Sequence, residues 1–288
     1  AGLANSVQLL PCISILKHLE KNKNDPPKGI SIIGNPEIKF PEMLAGFEGH
    51  VKPDFLEKEI NDVAVLLGAI PNVGALATKE HFLHEFSSST FMHLATHGSH
   101  ERGTIILAPV TDNDPLVVAR DSWEITLEDI VACRHAPEVV VLTTSYGCRN
   151  RFKELATFNG YLPLALMVAG VKTIVMATWS TPQNALLACL RQLYKKISDG
   201  LTVTCALSRA KARVRKMEEF QEPLYWASLS VYGRDSLINP EELRRSIAEA
   251  SFFKAQKLAV ERFELVPPNE ECSNDLLFQC LMESVTEF

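Results

Sequence analysis

The feature that most constrains the fold is a regular alternation of two sequence patterns. Short runs rich in β-branched residues indicate buried strands at Ile30–Ile33, Phe91–Ala95, Thr104–Leu107, Val139–Thr143 and Lys172–Ala177. Helical periodicity indicates helices between and after them, over Leu56–Leu67, Thr78–Phe86, Tyr161–Ala169, Pro182–Ile197 and Val203–Met217. Because strands that alternate with helices pair in parallel, we expect an α/β fold: a mainly parallel sheet between two helical layers, that is, a three-layer α/β/α sandwich.

Local signals place several helix ends. Thr78 and Thr126 precede helical segments as N-caps. Thr181 is predicted to cap a further helix whose first residue is Pro182, and Gly170 is predicted to end the helix over Tyr161–Ala169. Each signal marks an end that the periodicity alone leaves open.

The chain changes in character near its C-terminal end, at residues 239–288. Tyr225–Tyr232 is predicted to be a final strand or extended segment. The capping pattern that begins at Asn239 predicts a helix to about Phe263, after which the chain is acidic. We therefore divide the chain into a main domain, residues 1–235, and a C-terminal helical and acidic appendage, residues 236–288.

Composition limits the classes of function. The chain has 288 residues, 46% hydrophobic and 22% charged, which is enough apolar material for a large core. Its formal net charge of −6 predicts no nucleic-acid partner, and we interpret the basic residues of Arg209–Lys216 as a solvated helix face. Apolar runs are too short for a membrane span.

The cysteines and the start of the chain bear on its location. Seven cysteines follow no disulfide or metal-binding spacing, so we predict a reducing, cytoplasmic location and neither a metal nor a cofactor. The first residues carry no signal sequence and run straight into a helical pattern. We expect from this a fragment of a longer protein.

Two predicted strands end in reactive residues. The Phe91–Ala95 run leads to His97 and Gly98, and the Val139–Thr143 run leads to Ser145. In open α/β sheets, ligands bind at the carboxyl ends of strands, so His97 and Ser145 face one crevice if the two strands are neighbours. The backbone N–H groups of Gly98 and Ser145 would then form an oxyanion hole. A base, a nucleophile and two donors are the minimum set for acyl transfer.

Four segments resemble the CHAT family, which belongs to the caspase- and separase-like cysteine peptidases and is often fused to tetratricopeptide repeats. In the family's order they are Ile32–Pro36, His93–Gly98, Gly170–Trp179 and Leu224–Ser228. The resemblance covers about Val7 to Arg234, and His97 precedes Ser145 by 48 residues, near the spacing of about 50 in caspases. It implies a caspase-like sandwich that hydrolyses peptide bonds with a Cys–His dyad, protein or peptide substrates, and repeats in the full-length protein.

The chain departs from the family at two positions. Ser145 stands where the family has the nucleophilic cysteine, and Gln183 stands where it usually has an aspartate that reads the residue before the scissile bond. The resemblance thus implies Trp179 and Gln183 as substrate-binding residues without implying the basic-residue preference of separases. Trp179 either walls a substrate pocket or only packs in the core.

The serine changes the predicted activity. A hydroxyl is a far weaker acid than a thiol, so it needs an oriented acid behind the histidine; Asp112, Asp114 and Asp121 are candidates. We predict that the chain as given cleaves poorly or not at all. Ser145 is then either an engineered substitution or a mark of a natural pseudoprotease that acts as an interaction module. A true Ser145–His97 hydrolase is the third alternative.

Other histidines and a cysteine allow different interpretations. His93, His97 and His100 do not converge on a zinc ion if they lie on one strand, so we expect His93 to be a packed core residue. Cys148 lies beyond the predicted strand end, and we expect its thiol to point away from His97. Ser145 and His97 therefore remain the preferred pair.

Overall fold

The elements alternate as the sequence predicts. The computed structural model describes residues 7–21, 29–39, 43, 53–99, 103–110, 120–143, 145–146, 161–177, 179 and 181–239. The strands are β1 Gln8–Leu9, β2 Ile30–Pro36, β3 Asn72–Gly74, β4 Phe91–Ala95, β5 His97–Ser99, β6 Thr104–Ile106, β7 Glu124–Ile125, β8 Val139–Leu142, β9 Ser145–Tyr146, β10 Thr173–Ala177 and β11 Leu229–Gly233. The helices are α1 Ile13–Lys21, α2 Pro53–Leu67, α3 Lys79–Ser88, α4 Leu127–Ala132, α5 Tyr161–Ala169, α6 Gln183–Ser198, α7 Val203–Val214 and α8 Pro223–Trp226. Short 3-10 turns lie at Arg120–Ser122 and Glu218–Phe220.

The strands form two sheets. The larger has the order β1-β11-β10-β8-β4-β2-β3, and every neighbouring pair in it is parallel except β10 with β11. The smaller has the order β7-β6-β5-β9. A mainly parallel sheet, as predicted, is confirmed.

The side chains of the central strands separate two cores. In β8, Val139 and Val141 pack with α2, α6 and α7, whereas Val140 and Leu142 pack with α1, α3, α4 and α5. Successive residues of a strand point to opposite faces, so a run of four apolar residues fills both cores. The result is a helical layer on each face of the sheet, which confirms the predicted three-layer α/β/α arrangement.

Three predicted helix ends agree with the structure. The Thr78 side chain accepts from the His81 backbone N–H at 3.2 Å and caps α3. Thr126 and Asp129 form a reciprocal capping box at the start of α4. Helix α5 ends at Ala169, and Gly170 follows with φ of +117°, a conformation that other residues rarely adopt.

Two predictions need correction. Thr181 does not cap α6: its hydroxyl donates to the Trp179 carbonyl at 3.5 Å, and Pro182, with ψ of 134°, is the extended residue before the first helical one. The segment Tyr225–Tyr232 is a strand only in its second half. Pro223 fixes φ in the first turn of α8, so Tyr225 lies in a helical turn rather than in a strand.

The predicted C-terminal appendage lies almost wholly outside the described residues, which stop at 239. Asp235 and Ser236 at the end of the described part hold the start of α7: the Asp235 carboxylate accepts from the Thr204 N–H at 2.9 Å, and the Ser236 carbonyl accepts from the Val203 N–H at 2.9 Å. Among the helices of the described part, none combines the length and apolarity that crossing a bilayer requires.

Candidate active site

The two strands that carry the predicted dyad are neighbours. Strands β4 and β8 pair in parallel from Phe91 with Val139 to Leu94 with Leu142. After these pairs, the segments that follow β4 and β8 belong to the smaller sheet as β5 and β9, and there His97 pairs with Ser145. Paired positions on adjacent strands are about 5 Å apart, so positions 97 and 145 lie side by side.

A third strand ends in the same register. Met176 of β10 pairs with Leu142 of β8, which itself pairs with Leu94 of β4. His97, Ser145 and Trp179 each follow these three residues by three positions. The three predicted site residues therefore come from equivalent positions beyond adjacent parallel strands, at the edge where α/β proteins bind ligands.

His97 is fixed on both sides by backbone pairing. It pairs with Ser145 in parallel and with Ile106 of β6 in antiparallel fashion, and it is only 3% exposed. The preceding Thr96 is fully buried, and its hydroxyl donates to the Ile106 carbonyl at 2.5 Å. This bond holds the bend between β4 and β5, so the position of His97 follows from the strands around it.

Gly98 lies in the same strand, between Ile105 of β6 and Tyr146 of β9. In a strand paired on both sides, backbone N–H groups point within the sheet toward one neighbour or the other. Use of the Gly98 N–H as an oxyanion donor requires it to turn out of that plane or to be shared with the substrate. The oxyanion role of Gly98 stays a prediction.

A buried polar cluster lies behind the two strand ends. Glu59 of α2 and His93 of β4 are both fully buried, and His93 Nε2 lies 3.2 Å from Glu59 Oε1, at ion-pair separation but without hydrogen-bond geometry. On its other side, His93 Nδ1 is 2.6 Å from the Tyr194 hydroxyl of α6. Thr143, the residue after β8, donates its hydroxyl to the same Glu59 oxygen. The expectation that His93 is a core residue is confirmed.

Burial settles the protonation of one member of this cluster. Desolvation, and secondarily the negative charge of Glu59, raises the pKa of Tyr194 well above its ordinary value. The hydroxyl therefore stays protonated and can donate to His93 Nδ1. In the neutral tautomer that accepts this bond at Nδ1, the single ring N–H is on Nε2, the nitrogen 3.2 Å from Glu59 Oε1.

Trp179 is a surface residue of this edge. Its side chain is 38% exposed, and its Nε1–H donates to the Leu224 carbonyl at 3.3 Å. Of the two interpretations, packing only in the core is wrong. Gln183 is the first residue of α6 and is half-buried. The substrate-binding roles of both residues stay predictions.

Several other candidates can now be placed. Asp121 lies 3.9 Å from Lys79, and its side chain is 86% exposed, so it is not the buried, oriented acid that a serine mechanism uses. His100, Asp112, Asp114 and Cys148 lie outside the described residues. Within the described ranges, no group of three or more His, Cys, Asp or Glu residues is arranged to hold a metal ion.

The basic run on α7 is mostly the solvated face that the sequence indicates. Arg209, Arg213, Arg215 and Lys216 are exposed. Lys211 differs, because it is half-buried and its Nζ donates to the Ala227 carbonyl at 3.3 Å. Burial lowers the pKa of Lys211.

Sequence reasoning missed Glu59 and Tyr194. Glu59 lies on α2 and accepts a bond from Thr143, which is 84 residues away in the sequence. Tyr194 lies on α6 and bonds to His93, which is 101 residues away. A signal for Glu59 was present: it is a single carboxylate within the apolar stripe formed by Leu56, Ile60, Val63 and Leu67. No comparable signal marks the tyrosine, since buried tyrosines are ordinary core residues.

Two known proteins are similar to this chain in sequence. The chain is 26% identical over 241 residues to tetratricopeptide repeat protein 28 of Mus musculus and 25% identical over 257 residues to that of Homo sapiens. These alignments cover 73% and 77% of this chain but 10% of each relative, so the chain spans about a tenth of their length.

A solved structure is also similar. The crystal structure of the Saccharomyces cerevisiae separase–securin complex at 2.6 Å matches with a TM-score of 0.46 and 15% identity, over 80% of this chain and 14% of that chain. The 3.0 Å structure of the same complex gives a TM-score of 0.46 and 16% identity, over 81% and 14%.

The family assignment comes from a match over most of the chain. The family model described as "CHAT domain" matches residues 3–234, the segment that contains both sheets and all the helices described above. This chain belongs to the CHAT domain family.

Proposed function

We propose that this CHAT domain has the active-site layout of a caspase- and separase-like cysteine endopeptidase, with His97 as the base and position 145 as the nucleophile. The observation that carries the proposal is the parallel pairing of His97 with Ser145 at the ends of adjacent strands. The Gly98 and Ser145 N–H groups are the proposed oxyanion donors, and Trp179 and Gln183 are the proposed substrate contacts.

With a cysteine at position 145, the proposed chemistry is ordinary acyl transfer. The imidazole takes the thiol proton, and the thiolate attacks the peptide carbonyl, so that a tetrahedral oxyanion forms. Its collapse breaks the C–N bond, and the leaving amine takes the proton back from the imidazolium. Water then attacks the thioester by the same route and releases the acid.

With Ser145, the proposed outcome is binding without efficient cleavage. A thiol beside a histidine ionises near neutral pH, whereas a serine hydroxyl must lose its proton during the attack itself. An oriented acid behind His97 would help, but Asp121, the candidate acid within the described residues, is exposed. The chain therefore holds peptide or protein segments at this edge and turns them over poorly or not at all.

A natural pseudoprotease is the second candidate. It is favoured by Gln183, which departs from the family at a second position of the same site. On this alternative the crevice docks a protein partner, and tetratricopeptide repeats in the full-length protein contribute to that binding.

The proposed setting is the cytoplasm. The described cysteines are all free thiols, and Cys189 is buried in the core, as expected in a reducing compartment. Neither a nucleic acid nor a membrane is part of the proposed function.

The test compares the chain with its Ser145→Cys variant on a peptide library derived from a proteome, with new termini read by mass spectrometry. We expect cleavage only by Ser145→Cys, and none when His97→Ala is added. His84→Ala is the matched control, because His84 is an exposed residue of α3 with a side chain 74% accessible.

Two results would change the assignment. Cleavage by neither form would contradict a latent peptidase and favour the interaction module. Cleavage by the serine form that is lost in His97→Ala would show that the chain is an active serine hydrolase.

A further inference from the structure

The buried cluster behind the strand ends has a feature that packing does not require. Glu59 is a fully buried carboxylate whose Oε2 has no hydrogen-bond partner among the described residues. A buried charge that is only partly satisfied costs stability, and apolar replacements of buried ion pairs are often neutral or stabilising. Its presence at this position is therefore better explained by what its other oxygen holds.

That other oxygen joins helix α2 to strand β4 and to the residue that follows β8. Glu59 Oε1 accepts from the Thr143 hydroxyl and lies 3.2 Å from His93 Nε2. Thr143 in turn donates its backbone N–H to the Leu94 carbonyl at 3.0 Å. One carboxylate of α2 thus links the end of β8 to β4.

The two linked segments are those that lead to the site. Thr143 precedes Ser145 by two residues, and His93 precedes His97 by four. His93 is also held by Tyr194 of α6, which lies on the same face of the sheet as α2: the Tyr194 hydroxyl is 2.6 Å from Nδ1, and the two rings make an edge-to-face contact at 5.8 Å. A shift of the β8 end relative to β4 must break the contact of Thr143 with Glu59.

We propose that Glu59 is a positioning residue: through Thr143 and His93 it fixes the register of the two strand ends and so sets the separation between position 145 and His97. This assignment rests on the proposed function of those two positions. Glu59 touches neither the nucleophile position nor a substrate, and its effect on chemistry passes entirely through geometry. The interaction of a thiol with an imidazole falls steeply with distance, so a loosened strand end weakens it.

The experiment uses the Ser145→Cys chain and measures the pKa of the thiol at position 145 from the pH dependence of its alkylation by iodoacetamide, followed by peptide mass spectrometry. A neighbouring His97 should depress this pKa below the value of about 8.5 for a free cysteine. Thr143→Val and Glu59→Leu should return it toward that value. Each unit of that rise lowers the labelling rate at a pH below both values about tenfold.

Conservative variants supply the rescue. Thr143→Ser keeps a hydroxyl, and Glu59→Gln keeps an oxygen acceptor, so both should retain the depressed pKa. Thr173→Val is the matched control: Thr173 is fully buried in β10, and its hydroxyl donates to Ser236 Oγ at 2.7 Å, far from the β4 and β8 ends. Thr173→Val should lose stability without moving the thiol pKa.

The outcomes separate the two proposals. A raised pKa in His97→Ala, together with an unchanged pKa in both Thr143→Val and Glu59→Leu, overturns the role of Glu59 and leaves the dyad intact. A shift in Thr173→Val as large as that in Thr143→Val also overturns it, because the effect would then be general loosening. An unchanged pKa in His97→Ala overturns the dyad itself, and with it the positioning role.

Discussion

Removing one hydroxyl from the buried cluster gives a prediction whose size follows from the structure. Tyr194 is fully buried, and its ring packs edge to face with Phe91 at 6.0 Å and with His93 at 5.8 Å. Tyr194→Phe keeps both ring contacts and deletes only the hydroxyl 2.6 Å from His93 Nδ1. The buried ring nitrogen then has lost its partner and lies too deep for water to replace it.

The expected loss comes from that nitrogen. A buried polar atom left unsatisfied costs about 1–3 kcal/mol, so Tyr194→Phe should lower the free energy of unfolding by about 1–3 kcal/mol. For a domain of this size, each kcal/mol corresponds to about 2–4 °C in Tm. Truncation to alanine would add the loss of the ring, about 3–5 kcal/mol in total for large buried side chains.

Urea unfolding followed by circular dichroism measures the change, and the slope of the transition should stay constant. Tyr225→Phe is the matched control, because Tyr225 is half-buried and its ring contacts Phe220 at 5.7 Å. It should change the unfolding free energy by less than about 0.5 kcal/mol. A loss in Tyr194→Phe no larger than that of the control would refute the hydrogen bond to His93.

The remaining predictions concern pH and reactivity. The pKa of Tyr194 is raised in the folded state, so the Tyr194 contribution to stability is complete below the unfolded pKa of about 10 and is lost as pH rises above that value. The difference in unfolding free energy between the parent and Tyr194→Phe should therefore shrink in urea titrations at alkaline pH. Burial raises the pKa of Cys189 to about 11, so native-state alkylation followed by mass spectrometry should label exposed Cys205 and leave Cys189 unlabelled; equal labelling would contradict its burial. Burial raises the pKa of Asp129, but hydrogen bonds from Lys79 and Thr126 outweigh burial, and the net pKa is lowered. Asp129→Asn should therefore lower the free energy of unfolding by about 1 kcal/mol at neutral pH. In acid unfolding curves this loss should become smaller as pH falls through the lowered pKa of Asp129.

The sequence predicted the parts of the fold that local patterns determine. Four-residue apolar runs such as 139–142 must fill two cores, so they specify a strand covered on both faces. Thr78 and Thr126 marked helix starts because their hydroxyls satisfy amides that every helix leaves open. Thr181 failed as a cap because the next residue, Pro182, kept an extended ψ and moved the helix start by one residue.

The sequence predicted the site residues at the strand ends, but it did not predict the buried residues Glu59 and Tyr194 behind them. His97 and Ser145 could be paired from sequence because both follow buried runs at the same distance, and parallel strands bring equivalent distances together. Glu59 and Tyr194 reach the same place from helices 84 and 101 residues away from their partners, and no local pattern encodes such contacts. The lone carboxylate in the apolar stripe of α2 indicated a buried charge but not which group it holds.

At this edge of the sheet, the backbone position of residue 145 and the reactivity of its side chain have different causes. His97 and Ser145 pair with each other in the smaller sheet, so their backbones lie side by side beyond the larger one. That pairing is made by backbone groups and does not involve the side chain at position 145. On the proposed function, oxygen in place of sulfur at that position removes the ready ionisation of the nucleophile and leaves the backbone pairing with His97 in place. We therefore expect the chain and its Ser145→Cys variant to bind the same peptides, although on the proposed function only the variant cleaves them.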